Sequence, residues 1–506
     1  MKGRIALIGS VMILLLFTGF SGASFIEVKM PGLTSPIAAD SSGGSVIIGG
    51  ISNGTGLGDF DAFLMALTPN GTLRWAKAYG GSGRDILYSL KALPDGSSVV
   101  TGGSTSLGGG WVFRVGSDGS ALWSKVYNVD MVYSIVPYSN GFLAVSSTSG
   151  IPTLLSLDQD GNVRGAYLLT PNETALPVKI MALPGGQIFI AGIKNSPKTG
   201  SPDFWLAQIT PDGKVVWQRT YGGNGTEKLY DAELDGAGVT LVGYTSSFGS
   251  GAVDLLVVRT DLSGRVKWAK AVGSPMEEWA NAVTLLPSGD LVLGGISYST
   301  GEAQAWLVVM DTWGDVKRWI TFGGAGMDWI RALTSGPNGE LVLAGGVDGK
   351  ANQLGNLVKN YPLIGILRDV SLDDLGSGCS LAFRRPPFKV MDANISVAEG
   401  AAVSNPPSVS VVARAAKLNT KNLNEEILNA CSQAQTTTTT SSTATTTTTG
   451  IISTTAPLGE DTTTTSGPTT TTTTTTSSKK GGGGICGPAA LIGLAIVPLL
   501  LRRRGE

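Results

Sequence analysis

Short apolar runs return in a fixed rhythm between residues 25 and 370. One unit reads Ser45-Val-Ile-Ile-Gly-Gly, then Asp61-Ala-Phe-Leu-Met-Ala-Leu, then Asn70-Gly-Thr-Leu-Arg-Trp75-Ala-Lys-Ala-Tyr-Gly-Gly, then Asp85-Ile-Leu-Tyr-Ser-Leu, closing on Pro94-Asp-Gly. Each run is too short for a globular helix and is bounded by Gly, Asn-Gly, Asp-Gly or Pro, so each reads as a strand. A tryptophan marks the unit at Trp75, Trp123, Trp217, Trp268 and Trp319, with separations of 48, 94, 51 and 51. The long gap holds two units, and Asp160-Gly-Asn-Val-Arg-Gly165 stands where the missing tryptophan would be. Four strands in a unit of roughly 40–50 residues is the pattern of a propeller blade. The opening runs begin near Ser45, Ser97, Phe142, Gln187, Val239, Asp290 and Glu340, which makes seven blades. The last unit lacks its tryptophan run. Phe25 to Met30 and Pro36 to Asp40 are expected to supply its third and fourth strands and so close the ring, leaving no open edge. The expected fold is all-β, a seven-bladed β-propeller over 24–370. Its tryptophans should fill the wedges between sheets, and its glycines should supply the positive φ of the turns.

Beyond 370 the rhythm stops. Val390 to Ala398 and Val409 to Ala413 read as strands and Asn424 to Ala430 as a short helix, so 371–435 is expected to be a C-terminal cap or small β module. From Thr436 to Ser478, 25 of 43 residues are Thr, and Gly481 to Gly484 follow. Such a tract cannot bury a core, and 436–484 reads as a disordered stalk, glycosylated or bare. The chain opens with Lys2 and Arg4, an apolar stretch Ile5 to Phe17, and Ser21-Gly-Ala23, the pattern of a secretory signal over 1–23; an uncleaved anchor helix is the alternative. It closes with an apolar run Ile485 to Leu501 and Arg502 to Arg504, expected to be a membrane anchor over 485–506 with everything upstream outside.

A Thr-rich tract, Cys486-Gly487-Pro488, a short apolar run and a basic tail, in that order, resemble the CGP-CTERM sorting domain of archaeal surface proteins. The resemblance implies that Cys486 is a processing and lipid-attachment site and that the tail is removed. The body is similar to pyrroloquinoline quinone-like and WD40-like propeller repeats, through runs such as Asp212-Gly-Lys-Val-Val-Trp217 and Ser263-Gly-Arg-Val-Lys-Trp268. That likeness implies the fold; turn-Gly-x-x-x-Trp is a packing motif, so no quinone or other cofactor follows. An outside location favours a Cys379–Cys431 disulfide. It also makes the Asn-x-Ser/Thr sites at Asn53, Asn70, Asn172, Asn224 and Asn394 candidates for glycosylation.

Composition narrows the chemistry. The chain has no histidine among its 506 residues, which removes Ser-His-Asp and Cys-His catalysis and His-ligated zinc. Net charge is −1, so no basic field favours nucleic acid. Acidic residues recur just after the Tyr-Gly-Gly loop, at Asp85, Asp130, Glu227, Glu278 and Asp328. They read either as a carboxylate ring able to hold a cation or a sugar, or as turn caps. Recurrence from unit to unit favours turn caps, because repeats preserve structural roles. Asp59, Asp61, Asp203 and Asp254 read as turn residues before second-strand runs. Asp158-Gln-Asp160-Gly-Asn162 resembles a calcium loop without its distant Glu. No catalytic constellation and no assignable metal site emerges. The sequence points to a surface-anchored propeller with a binding or envelope role toward a protein, peptide or glycan. The alternative is an extracellular enzyme, carboxylate-dependent on glycans or cofactor-dependent.

Overall fold

In the computed structural model the described residues are 23–30, 32–351, 357–368, 381–423 and 426–432; they contain strands and no helix. The strands form seven antiparallel sheets. The innermost strands are Thr34–Ser42, Asp85–Ala92, Met131–Pro137, Leu176–Ala182, Glu227–Asp235, Glu278–Leu285 and Met327–Ser335. Each touches the innermost strand of the next blade, and the last touches the first, which closes a ring around a central channel.

The seven-blade count agrees with the sequence rhythm, but the strand phase is shifted by one. The runs beginning near Ser45, Ser97, Phe142, Gln187, Val239, Asp290 and Glu340 are the second strands of their blades, not the first. The Tyr-Gly-Gly loop carries the chain from the outer edge of one blade to the channel of the next, so the run after it opens a new blade. The N-terminal strands divide accordingly. Ala23–Lys29 pairs with Leu357–Leu367 as the fourth strand of blade 7, whereas Thr34–Ser42 is the first strand of blade 1. Closure by the N-terminus holds, with one strand rather than two.

Second and third strands are buried on both faces, as in Asp61–Leu67 and Gln304–Met310, which explains their continuous apolar runs. Seven apolar clusters result, and each is shared by two neighbouring blades. The fully buried tryptophans are Trp111, Trp205 and Trp306 on third strands. The repeat-marking Trp75, Trp123, Trp217, Trp268 and Trp319 are half-buried on outer strands. Trp75 packs at the margin of the apolar wedge between blades 1 and 2 and also lies over the next blade's hairpin turn, where its Nε1 donates to the Ser117 carbonyl at 2.7 Å. Gly119 in that turn has φ 74°, and a Cβ there would meet the Trp75 ring at 2.8 Å. Turn geometry and ring contact both require glycine.

The segment after the last blade is not a separate module. Its strands run back around the rim, each antiparallel to an outer edge. Ala382–Arg384 joins blade 6, Lys389–Asp392 blade 5 and Ser396–Gly400 blade 4. Ser408 bridges to Tyr167 of blade 3. Ala413–Ala415 joins blade 2, Asn419–Asn422 blade 1 and Glu426–Ser432 blade 7, the last replacing the helix expected over Asn424 to Ala430. The segment is a belt that visits every blade in reverse order. Edge amides that would otherwise be unpaired explain its path. Cys431 lies in the final belt strand opposite Phe25. Cys379, the signal region, the Thr-rich tract and Cys486-Gly487-Pro488 lie outside the described residues.

Candidate functional site

The five recurring acids lie within one residue of the start of the innermost strands, and each is spent locally. Asp85 accepts from the Gly81 N–H at 2.6 Å and from Ser104 and Ser106 Oγ. Glu227 takes Gly223 N–H at 2.8 Å and Thr245 Oγ1 at 2.7 Å. Glu278 takes the Ser274 N–H at 2.7 Å. Asp328 takes the N–H groups of Gly324 at 3.1 Å and Asp348 at 2.9 Å. Asp130 takes Ser147 Oγ and Gly150 N–H, both at 3.2 Å. They close the loops that enter each blade and do not converge on one ligand position.

Four of them have a second buried polar residue beside them, at the start of a third strand. Asp61 pairs with Asp85, Asp203 with Glu227 and Asp254 with Glu278, while Gln304 takes that place beside Asp328 at 3.2 Å. Oδ1 of Asp61, Asp203 and Asp254 has no hydrogen-bond partner. Burial raises the pKa of all three. Asp203 reaches about 7, because Glu227 adds to the burial effect. A neighbouring carboxylate disfavours ionisation, and at Asp203 it adds to burial in holding the proton. Among the described residues no group of three or more acids and cysteines could hold a metal.

The channel is where the blades differ. Every innermost strand carries a β-bulge two to four residues after its first residue, at Ile37, Tyr88, Tyr133, Val178, Tyr230, Asn281 and Arg331. A bulge leaves one residue outside the ladder and re-aims its side chain. Five of the seven bear polar groups, and they meet across the channel. The rings of Tyr88 and Tyr133 are 5.4 Å apart. The Arg331 guanidinium lies 5.8 Å from the Tyr230 ring centre, and its Nη1 donates to Asn281 Oδ1 at 3.3 Å. Lys228 sits 5.3 Å from the same Tyr230 ring. The Tyr88 hydroxyl is buried without a partner. Burial lowers the pKa of Lys228, with Arg331 adding to the effect, and it also lowers that of Arg331, whose guanidinium nevertheless stays charged.

Further along the same strands is an ion-pair cluster. Lys179 binds Asp231 at 2.7 Å and lies 4.0 Å from Glu233, and Lys91 binds Asp40 at 2.9 Å. Burial draws the Lys179 ammonium down, but Asp231 and Glu233 outweigh it and its pKa is raised. Burial pushes Glu233 up to about 7, opposed by Lys179 and helped by Asp231.

None of these channel residues is among the sequence candidates. A signal was present: the third residue after each recurring acid is Tyr88, Tyr133, Tyr230, Asn281 or Arg331, a fixed position with varying chemistry. The remaining candidates lie elsewhere. Asp158 Oδ1 accepts the N–H groups of Asp160 at 2.9 Å and Asn162 at 2.8 Å, so that loop is a capped hairpin turn. Asp59 is exposed and pairs with Arg84 at 3.7 Å. Asn53, Asn70, Asn172, Asn224 and Asn394 are all exposed. Asn224 and Asn394 are brought together on one open groove of about 450 Å³ beside Phe248.

No family model and no curated protein matches this chain. Solved structures of similar form include Sqt1 from Chaetomium thermophilum, at 14% identity and TM-score 0.40 over 66% of this chain and 90% of that one. The C-terminal WD40 domain of Sif2 is similar at 10% identity and TM-score 0.37, over 68% and 99%. A putative 6-phosphogluconolactonase from Bacteroides uniformis is similar at 13% identity and TM-score 0.37, over 65% and 95%. At these values no ligand or activity carries over, and the sheet topology itself identifies the chain as a seven-bladed β-propeller.

Proposed function

We propose that this protein is a binding propeller displayed at the cell surface, held by its C-terminal segment on the Thr-rich spacer, and that its ligand is taken in the central channel. One observation carries the reading: a bulge common to all seven innermost strands presents Tyr, Asn, Arg, Val and Ile at one level. Packing positions stay alike from blade to blade in a repeat protein, as the capped acids do here. A structurally fixed position whose side chains vary is suited to recognising something asymmetric. The resemblance of the last residues to the CGP-CTERM sorting domain supports the display. The full-length protein, extracted from membranes, should bind members of a glycan and peptide array, and Tyr88→Ala combined with Tyr230→Ala should abolish that binding without loss of fold. Binding that survives both substitutions rules out the channel. Mass spectrometry of the same material should find a lipid on Cys486 and no residues after the processed anchor; an intact Arg502–Glu506 tail rules out processing.

A second reading has one observation in its favour. Asp231 and Glu233 are neighbouring channel carboxylates in unequal settings, the first bonded to Lys179 and the second raised to about 7 by burial. Such a pair suits acid–base hydrolysis. Array ligands should be assayed for turnover, with Glu233→Gln as the inactive control.

A further inference from the structure

The channel is electrically uneven. In the ion-pair cluster each lysine has a carboxylate within ion-pair distance. At the bulge level, Arg331 and Lys228 have none among the described residues. Arg331 has one neutral hydrogen bond, to Asn281 at 3.3 Å, and Lys228 has a ring contact. The opposing charge felt by Arg331 is Asp231, which already binds Lys179 and accepts the Val283 N–H at 3.0 Å. A guanidinium and an ammonium that lie 5.8 Å and 5.3 Å from the Tyr230 ring centre, neither with a carboxylate partner among the described residues, suit an anionic group. A planar guanidinium matches a carboxylate through two parallel N–H donors.

The surroundings narrow what carries that group. The Tyr88 and Tyr133 rings meet at 54° with their centres 5.4 Å apart, and an aromatic face suits the C–H side of a pyranose ring. Tyr88 Oη, buried and without a partner among the described residues, offers a hydrogen bond of the kind a sugar hydroxyl makes, whereas the Asn281 amide is already engaged by Arg331 and the Ile330 carbonyl. An acidic peptide would have to thread its backbone past the bulged side chains. A phosphate, with its greater charge, calls for more donors than one guanidinium and one ammonium. We propose that the bulge level of the channel is a subsite for a carboxylated sugar, a hexuronate residue of an acidic glycan. Its carboxylate would lie on Arg331 and Lys228, its ring on Tyr88 and Tyr133, and a hydroxyl on Tyr88 Oη, with Asn281 holding the Arg331 guanidinium in place. This deepens the channel-binding reading and rests on it.

Titration calorimetry on the full-length protein tests it with sodium glucuronate and a short oligouronide, against glucose, inorganic phosphate and a Glu-rich peptide. The uronates should bind and glucose should not, and affinity should fall as salt rises. Arg331→Gln should weaken uronate binding about 10- to 100-fold. Arg331→Lys should restore part of the loss, and the melting temperature of each variant reports its fold. Should Arg331→Gln fail to fold, Lys228→Gln reads the same seat and should weaken binding in the same direction. Equal binding of glucose, binding of phosphate or peptide in place of uronate, or unchanged affinity in both charge variants overturns the proposal. If uronate fails while an array ligand is still lost on Tyr88→Ala, the channel stands and the carboxylate class falls. If no channel substitution affects any ligand, the channel reading itself falls.

Discussion

At the scale of single residues, the seams between blades hold carboxyl groups that water never reaches. Asp61, Asp203 and Asp254 are each at most 1% exposed, and each has an unpartnered Oδ1 facing a second buried acid. The chain contains its own comparison: at the fourth seam Gln304 stands in the aspartate's place and donates to Asp328. Asp203 titrates near 7 in the folded protein and near the ordinary aspartate value when unfolded. Between those values the native state holds a proton that the unfolded state releases, so the stability it contributes is lost as pH rises through about 7. Asp328 and Glu233, also raised to about 7 by burial, act in the same direction. Melting temperature should therefore fall between pH 5 and pH 8.5. Asp203→Asn supplies the donor that Gln304 supplies and should add on the order of 1–3 kcal/mol at pH 8.5 and almost nothing at pH 5. Identical pH dependence in wild type and variant would show that the seam does not hold a proton.

At the scale of elements, the belt and the blades differ in how they are held. The second strand Leu291–Ser297 is paired on both sides and buried along its whole length. Belt strands such as Lys389–Asp392 and Ser396–Gly400 are paired on one side only; the first is exposed except at Met391, and the second alternates between half-buried and exposed. Local opening is cheapest where few apolar contacts must be broken. Amide hydrogen exchange should therefore proceed about 100-fold faster or more in 389–422 than in the second strands. Protection equal to that of Leu291–Ser297 would mean that the belt is part of the cooperative core. The belt also blocks seven ready templates for strand addition, so its removal should promote self-association before it unfolds the ring.

At the scale of the whole molecule, the ring is closed by one N-terminal strand. Phe25 is fully buried on the blade 6 side, 5.4 Å from the Phe322 ring, and Ile26 and Val28 pack on the blade 1 side. That two-sided packing makes Ala23–Lys29 a clasp between the beginning and the end of the propeller. Phe25→Ala should destabilise the protein by about 3–5 kcal/mol, as large-to-small changes at fully buried aromatics do. A loss below about 1 kcal/mol in denaturant unfolding would mean that closure does not depend on this strand. The clasp is in turn covered by Glu426–Ser432, so both ends of the described chain meet on blade 7.

The sequence by itself determined the blade count and the all-β class. Gly-bounded apolar runs can form only short strands, and a Trp returning about every 50 residues counts the blades. Four of the recurring acids each bond the N–H four residues earlier, of Gly81, Gly223, Ser274 or Gly324, a local contact, whereas Asp130 bonds Gly150 instead. Strand phase was not legible, because the Tyr-Gly-Gly loop looks the same whether it joins strands within a sheet or carries the chain to the next blade. The belt was not legible either. Its strands are three to seven residues long, without a sustained apolar run, and stable only on edges supplied by residues more than a hundred positions away in most cases. Nor could the sequence assemble the channel. Tyr88, Tyr230, Asn281 and Arg331 are far apart along the chain, and each looks like an unremarkable strand residue. Only closure of the ring turns one position of each innermost strand toward a common axis, and only there do Arg331 and Lys228 come to share the Tyr230 ring, with no carboxylate partner among the described residues.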